Sequence, residues 1–203
     1  MPKEHLFAQK WNHNTRHYPK IANLVEGRQV ILDVGCGEGT LARYLAGLGH
    51  QVIGIDRDPA VLPPDGAGTH FMLGDATGLP FADDSFDAVV SVMVLHQTRL
   101  ELALVEMRRV AKPGGLLVDL GTAADRGLGD LALTIRDAVA EPFTRRGTTA
   151  WEPGTTKRSA TLGWRQTRVA LDRMLPGVEF RRVPGWRYLA TWQRPGHHRL
   201  PPG

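Results

Sequence analysis

The segment that most constrains this chain is Gln29–Thr40, QVILDVGCGEGT, followed by the helical pattern LARYLAGL. Its apolar run Gln29–Val34 ends in glycines at 35, 37 and 39, and Leu41, Leu45 and Leu48 then share one helical face. That order reads as a buried strand, a tight loop and a helix, the helix spanning Thr40–Leu48. Glycines allow a sharp turn at a strand's C-terminal end and let a ligand approach the main chain. The dinucleotide fingerprint G-x-G-x-x-G would also put glycines here. In this chain, however, the third glycine, Gly39, comes one residue early and Thr40 stands where that fingerprint needs glycine. Asp33, inside the strand end, would repel a pyrophosphate and suits a cationic amino group.

The next hundred residues repeat the alternation. Gln51–Asp56, His70–Leu73, Phe86–Val94 and Leu116–Leu120 read as strands, and Leu100–Val110 as a helix stopped by Pro113-Gly114-Gly115. Strands separated by helices imply right-handed crossovers and a parallel sheet. Near-continuous Val/Ile/Leu runs fit strands covered on both faces. Seventeen residues after Gly39, Asp56 closes the second strand, where a carboxylate can accept both hydroxyls of a ribose. Gly74-Asp75-Ala76 closes the third, where Asp75 could take an adenine amino group. Glycine and aspartate are also common turn residues. Three such sites at successive strand ends, on one edge of one sheet, favour a ligand site over coincidence.

After residue 121 the pattern changes. Leu131–Phe143 reads as helix, Arg145–Thr161 as a Gly/Thr/Pro/Arg-rich loop, and Trp164–Leu175 as a helix stopped by Pro176-Gly177. Val178–Val183 and Arg187–Gln193 form an antiparallel hairpin around Pro184-Gly185. About residues 5–26 read as a helix ahead of the first strand, and the tail RPGHHRLPPG as disordered.

The charge is uneven. Residues 1–130 hold 12 Lys/Arg and 16 Asp/Glu, whereas residues 131–203 hold 13 and 5. The basic residues are spread out and framed by no nucleic-acid motif, so an arginine-rich solvated face is favoured over a polyanion site. The single cysteine, Cys36, excludes a disulfide within the chain and fits a reducing compartment. The first residues, MPKEHLFAQKWNHN, have no signal-peptide core, and no apolar run reaches the roughly 18 residues needed to span a bilayer. A cytoplasmic protein without a membrane partner is expected.

VILDVGCGEGTLARYLA, VIGIDRD, GDATGLPFADDSFDAVVSVMVLHQ and RRVAKPGGLLVDLG together resemble the successive motifs of class I S-adenosylmethionine (SAM)-dependent methyltransferases, closest to the group called methyltransferase type 11. The match runs from about Val30 to Leu120. The resemblance implies a Rossmann-like three-layer α/β/α sandwich whose seven-stranded, mostly parallel sheet ends in an antiparallel strand. The hairpin read at residues 178–193 agrees with it independently. It implies SAM as cofactor and S-adenosylhomocysteine as product. Carried over by motif, Asp33, Gly35 and Gly37 would hold the methionine end, with Cys36 a small filler between them. Asp56 would bind the ribose, Arg57 would lie beside the adenine, Asp75 and Ala76 would meet its edge, and Ser91 and Val92 would lie under the methionine. The expected organisation is a cap segment over 1–28, a SAM-binding domain over 29–194 with 122–163 shaping the acceptor site, and the tail 195–203.

Methyl transfer from an activated sulfonium asks mainly for alignment and exclusion of water, and for a base only when the acceptor must lose a proton. His96, just past the fourth strand, is a candidate base, against the alternative that it supports the loop. In the cluster Trp11, His13, Arg16, His17 and Tyr18, Tyr18 could stack near the sulfonium and His17 could face the acceptor. Trp151, Trp164, Trp186, Tyr188 and Trp192 read as core rather than as a substrate pocket. His197 and His198 lie in the tail and are expected to be inert. No His/Cys cluster has metal-ligand spacing, so no metal is expected. A small-molecule acceptor is the leading reading. The rivals are a nucleic-acid methyltransferase, disfavoured because Val92-Met93-Val94-Leu95 carries no base-methylating motif, and a non-catalytic SAM-binding protein. The acceptor atom and the oligomeric state stay open.

Overall fold

In a computed structural model the described residues are 10–124 and 159–196, with Ile135, Val139, Thr149–Ala150 and Gly154 between them. Seven strands form one sheet: β1 Val30–Val34, β2 Gln51–Asp56, β3 Thr69–Leu73, β4 Phe86–Val92, β5 Ala111–Gly121, β6 Glu179–Val183 and β7 Arg187–Gln193. Their spatial order is β3-β2-β1-β4-β5-β7-β6; β7 runs antiparallel to both its neighbours and every other pairing is parallel. The order reverses between β1 and β4, the topological switch point at which open α/β sheets bind ligands.

Helices α1 (Tyr18–Leu24), α2 (Thr40–Gly47), α3 (Leu100–Val110) and α4 (Trp164–Met174) supply the outer layers. One face of the sheet, with Ile31, Val90, Val118 and Leu189, packs on Tyr18, Ile21, Leu41 and Leu45 of α1 and α2. The other, with Leu32, Val34, Val89 and Leu117, packs on Leu104 and Met107 of α3 and on Leu171 of α4. Each such fully buried aliphatic chain contributes about 1.5–3 kcal/mol. Helix α3 buries Leu100, Ala103, Leu104, Met107 and Val110, the spacing of a single apolar stripe. Its outer turn braces the loop after β3: Glu106 accepts from Leu79 N at 2.8 Å, and Arg109 donates to Leu79 O and Phe81 O at 3.0 and 2.7 Å.

Most sequence-read elements agree within a residue or two; the N-terminal helix and the start of β5 do not. The expected helix over 5–26 is instead, among its described residues, a two-residue strand Lys10–Trp11 paired in parallel with Thr149–Ala150, a turn, a 3-10 helix Thr15–His17, and α1. The cause is local. Asn12 Oδ1 accepts from the backbone N–H of Asn14 and of Thr15, both at 2.8 Å, a turn that competes with helix, and Pro19 sits in the first turn of α1. Strand β4 stops at Val92 because Met93 turns to φ 62°. Strand β5 starts early, at Ala111. Trp164, Tyr188 and Trp192 are core, as read, whereas Trp186 sits in the β6–β7 turn with its ring edge-on to His13 at 5.3 Å. Leu131–Phe143, Arg145–Thr161, Trp151 and the tail from His197 lie outside the described residues, save those named above. No helix of the described residues is long and apolar enough to cross a membrane.

Candidate functional site

A cavity of about 450 Å³ opens at the C-terminal ends of β1–β4, within the range of small-molecule sites. Of the eleven residues expected to hold the cofactor, ten line it: Tyr18, Asp33, Gly35, Cys36, Gly37, Asp56, Arg57, Asp75, Ala76 and Val92.

The glycine loop makes the floor. Gly35 N and Cys36 N both donate to Ile55 O, at 2.7 and 3.0 Å, which closes the loop onto the end of β2. Gly35 holds φ 70°, and a Cβ there would lie 2.3 Å from a methyl of Val94, so only glycine fits. Asp56 braces the loop from beside it. Its Oδ2 accepts from Gly37 N at 2.9 Å and its Oδ1 from Asp58 N at 3.0 Å. Each oxygen keeps a lone pair for a ligand hydroxyl. Asp75 Oδ1 accepts from both the N–H and the hydroxyl of Thr77 at 2.7 Å, which holds its carboxyl below the usual range.

Asp33 is the electrostatic outlier. It is 2% exposed. Burial, then the charge of Asp56, push its pKa up to about 7 against the pull of an Ala42 backbone hydrogen bond. Its Oδ2 has no hydrogen-bond partner among the described residues. A buried carboxylate oxygen left open beside a cavity is a place for a cation. The Cys36 thiol next to it is pushed well above its ordinary pKa, first by burial and then by Asp33 and Asp56, so it stays protonated. Tyr18 is buried, its hydroxyl 2.7 Å from Thr40 Oγ1, which ties α1 to the start of α2.

Three expected site residues lie elsewhere. Ser91 is fully buried off the cavity and donates to Asp119 Oδ1 at 2.6 Å. Asp119 itself is pushed up to about 6 by burial, against hydrogen bonds from Ser91 and Tyr188. His17 is buried and donates from Nε2 to Pro184 O at 2.9 Å; desolvation lowers its pKa to about 4, so it is neutral and fastens the N-terminal segment to the β6–β7 turn. His96 lines a second cavity of about 60 Å³, with Leu95, Leu100, Thr122, Thr167 and Tyr188. Thr98 borders both cavities. Sequence reasoning missed Asn12, Asn14, Glu38 and Met93 on the first cavity's wall. Of these only Glu38, inside the glycine loop, carried a sequence signal.

Residues 32–119 match the methyltransferase domain family. An uncharacterized methyltransferase of Mycobacterium tuberculosis is 30% identical over 201 residues, covering 92% of this chain and 98% of the relative. Other curated relatives are longer. The chain spans 44% of an uncharacterized methyltransferase of Bacillus subtilis, at 37% identity over 47% of this chain. It spans 40% of a demethylmenaquinone methyltransferase of Renibacterium salmoninarum, at 43% identity over 44% of this chain. A solved SAM-dependent methyltransferase of Methanosarcina mazei shares the fold, with TM-score 0.60 and 22% identity over 89% of this chain and 99% of that one.

Proposed function

Since the chain belongs to the class I SAM-dependent methyltransferase family, we propose that it binds SAM in the larger cavity and transfers its methyl group to a small-molecule acceptor. The observation that carries this reading is the pairing of two carboxylates on one cavity wall: the buried, open Oδ2 of Asp33 and the backbone-braced Asp56. The first suits the ammonium of an amino-acid end and the second suits a ribose diol. Tyr18 and Val92 line the cavity with them, Arg57, Asp75 and Ala76 follow at the ends of β2 and β3, and Gly35 and Gly37 give the ligand access to the main chain.

SAM, when bound, supplies a methyl group on a positively charged sulfur, open to in-line displacement by the acceptor. The chain's own contribution is alignment, exclusion of water and, where the acceptor bears a proton, its removal. The acceptor's reacting end fits the second cavity, which meets the first at Thr98 and is lined by Thr122 and Thr167. His96 lines that cavity and is the group to receive a proton there. A small acceptor agrees with the name of the demethylmenaquinone methyltransferase relative. Calorimetry with SAM and S-adenosylhomocysteine, and NADH as control, tests the reading. Both SAM ligands are expected to bind and NADH to fail. NADH binding tighter than SAM would contradict it. Release of S-adenosylhomocysteine on addition of trial acceptors then reads turnover.

A further inference from the structure

The cavity that would take SAM is acidic. Asp33, Glu38, Asp56, Asp58 and Asp75 line it, against one lysine or arginine among the described residues, Arg57. Arg57 follows Asp56 at the end of β2, the proposed ribose and adenine end. A ligand whose amino-acid end carries a carboxylate as well as an ammonium needs hydrogen-bond donors in those surroundings.

Asn14 lines the same cavity. Its Oδ1 accepts a 2.9 Å hydrogen bond from Arg187 Nε. Arginine has donors and no acceptor, so the amide oxygen must face it and the NH2 must take the other prong. The amide is therefore oriented by chemistry. Its backbone is fixed as well, since Asn14 N donates to Asn12 Oδ1 at 2.8 Å. Arg187 is anchored in turn, with Nη1 donating to Gly185 O and Trp186 O at 3.2 and 3.3 Å. Burial lowers its pKa to about 10, which leaves it charged at neutral pH. A guanidinium on the oxygen side polarises an amide and strengthens its N–H groups as donors. The segment also lies at the correct end of the cavity. Four residues on, Tyr18 shares its hydrogen bond with Thr40 at the start of α2, and the Asp33 charge acts on its phenol.

The geometry points to Asn14 as the residue that binds the carboxylate of SAM's amino-acid end, with Arg187 as its positioning residue. Asp33 and Asn14 then divide the zwitterion, carboxylate to ammonium and amide to carboxylate. The site discriminates SAM from decarboxylated SAM, which keeps the sulfonium and the ammonium and lacks the carboxylate. This inference rests on the reading of the cavity as a SAM site.

The test is calorimetry of the full chain with SAM and with decarboxylated SAM, in the parent and in Asn14→Ala and Asn14→Asp. The parent should prefer SAM. Asn14→Ala should lower SAM affinity about tenfold to a hundredfold, the effect of losing a hydrogen bond to a charged group. Its affinity for decarboxylated SAM should stay within about twofold of the parent's, since no contact is lost. Asn14→Asp retains an acceptor for Arg187, which protects the fold, and puts an anionic oxygen where the NH2 stands. It should prefer decarboxylated SAM. Equal weakening of both ligands, or a preference unchanged from the parent in both variants, overturns the assignment while leaving the SAM site intact. Failure of the parent to bind either ligand overturns the SAM reading itself, and this inference with it.

Discussion

Replacing Asp33 by asparagine should change the pH dependence of folding in a direction opposite to that of most carboxylates. The folded pKa is about 7, raised chiefly by burial, whereas an unfolded aspartate titrates near 3.9. Between those values the folded chain holds a proton that the unfolded chain has released, so raising the pH works against folding. At about 1.36 kcal/mol per unit, the cost approaches roughly 4 kcal/mol above pH 7 and is near zero below pH 4. Asparagine removes the ionisation, but its NH2 lands where no acceptor waits, at a cost of about 1–3 kcal/mol. The variant should thus be no more stable than the parent at pH 5 and more stable at pH 8. The difference between the two should move by about 3 kcal/mol over that interval. Urea unfolding of the ligand-free proteins at both pH values measures it. A difference constant within about 0.5 kcal/mol would refute the argument that burial leaves this carboxylate uncompensated. The same charge governs the ligand: parent affinity for SAM should rise with pH up to about 7 and level off, whereas that of Asp33→Asn should be weaker and flat.

Asp56→Ala should weaken SAM binding by about 1–3 kcal/mol in calorimetry, since it removes the ribose acceptors and unties Gly37 N. Gly35→Ala, at φ 70° and with its new methyl 2.3 Å from Val94, should cost at least about 1–2 kcal/mol in denaturant unfolding. For His17 the folded pKa is depressed to about 4 by burial, so its own contribution to stability should be complete above about pH 6.5 and fall by about 3 kcal/mol as pH drops from about 6.5 to 4. The stability difference between the parent and His17→Phe, measured at both ends of that window, should move by that amount.

The residues that line the larger cavity were legible because their signals are local. Buried strands read as apolar runs, their ends as glycine or aspartate, and the loop 35–39 as a spacing that separates amino-acid from pyrophosphate recognition. What stayed hidden depends on contacts remote in sequence or on side-chain direction. Asn14 gains its proposed role from Arg187, 173 residues away. Strand β4 is buried on both faces, so no alternation says that Val92 meets the cavity while Ser91 turns to Asp119. The N-terminal segment carries helix-compatible apolar spacing, and the turn made by the Asn12 side chain overrides it.

The central claim is that a SAM-type ligand spans Asp33 to Asp75 across the ends of β1–β3. A crystal structure of the protein with S-adenosylhomocysteine tests it most directly. The ligand ammonium should lie within hydrogen-bond distance of Asp33, roughly 2.7–3.2 Å, and both ribose hydroxyls on the Asp56 carboxylate. A ligand bound elsewhere, or bound in this cavity with its ribose turned away from Asp56, would contradict the account.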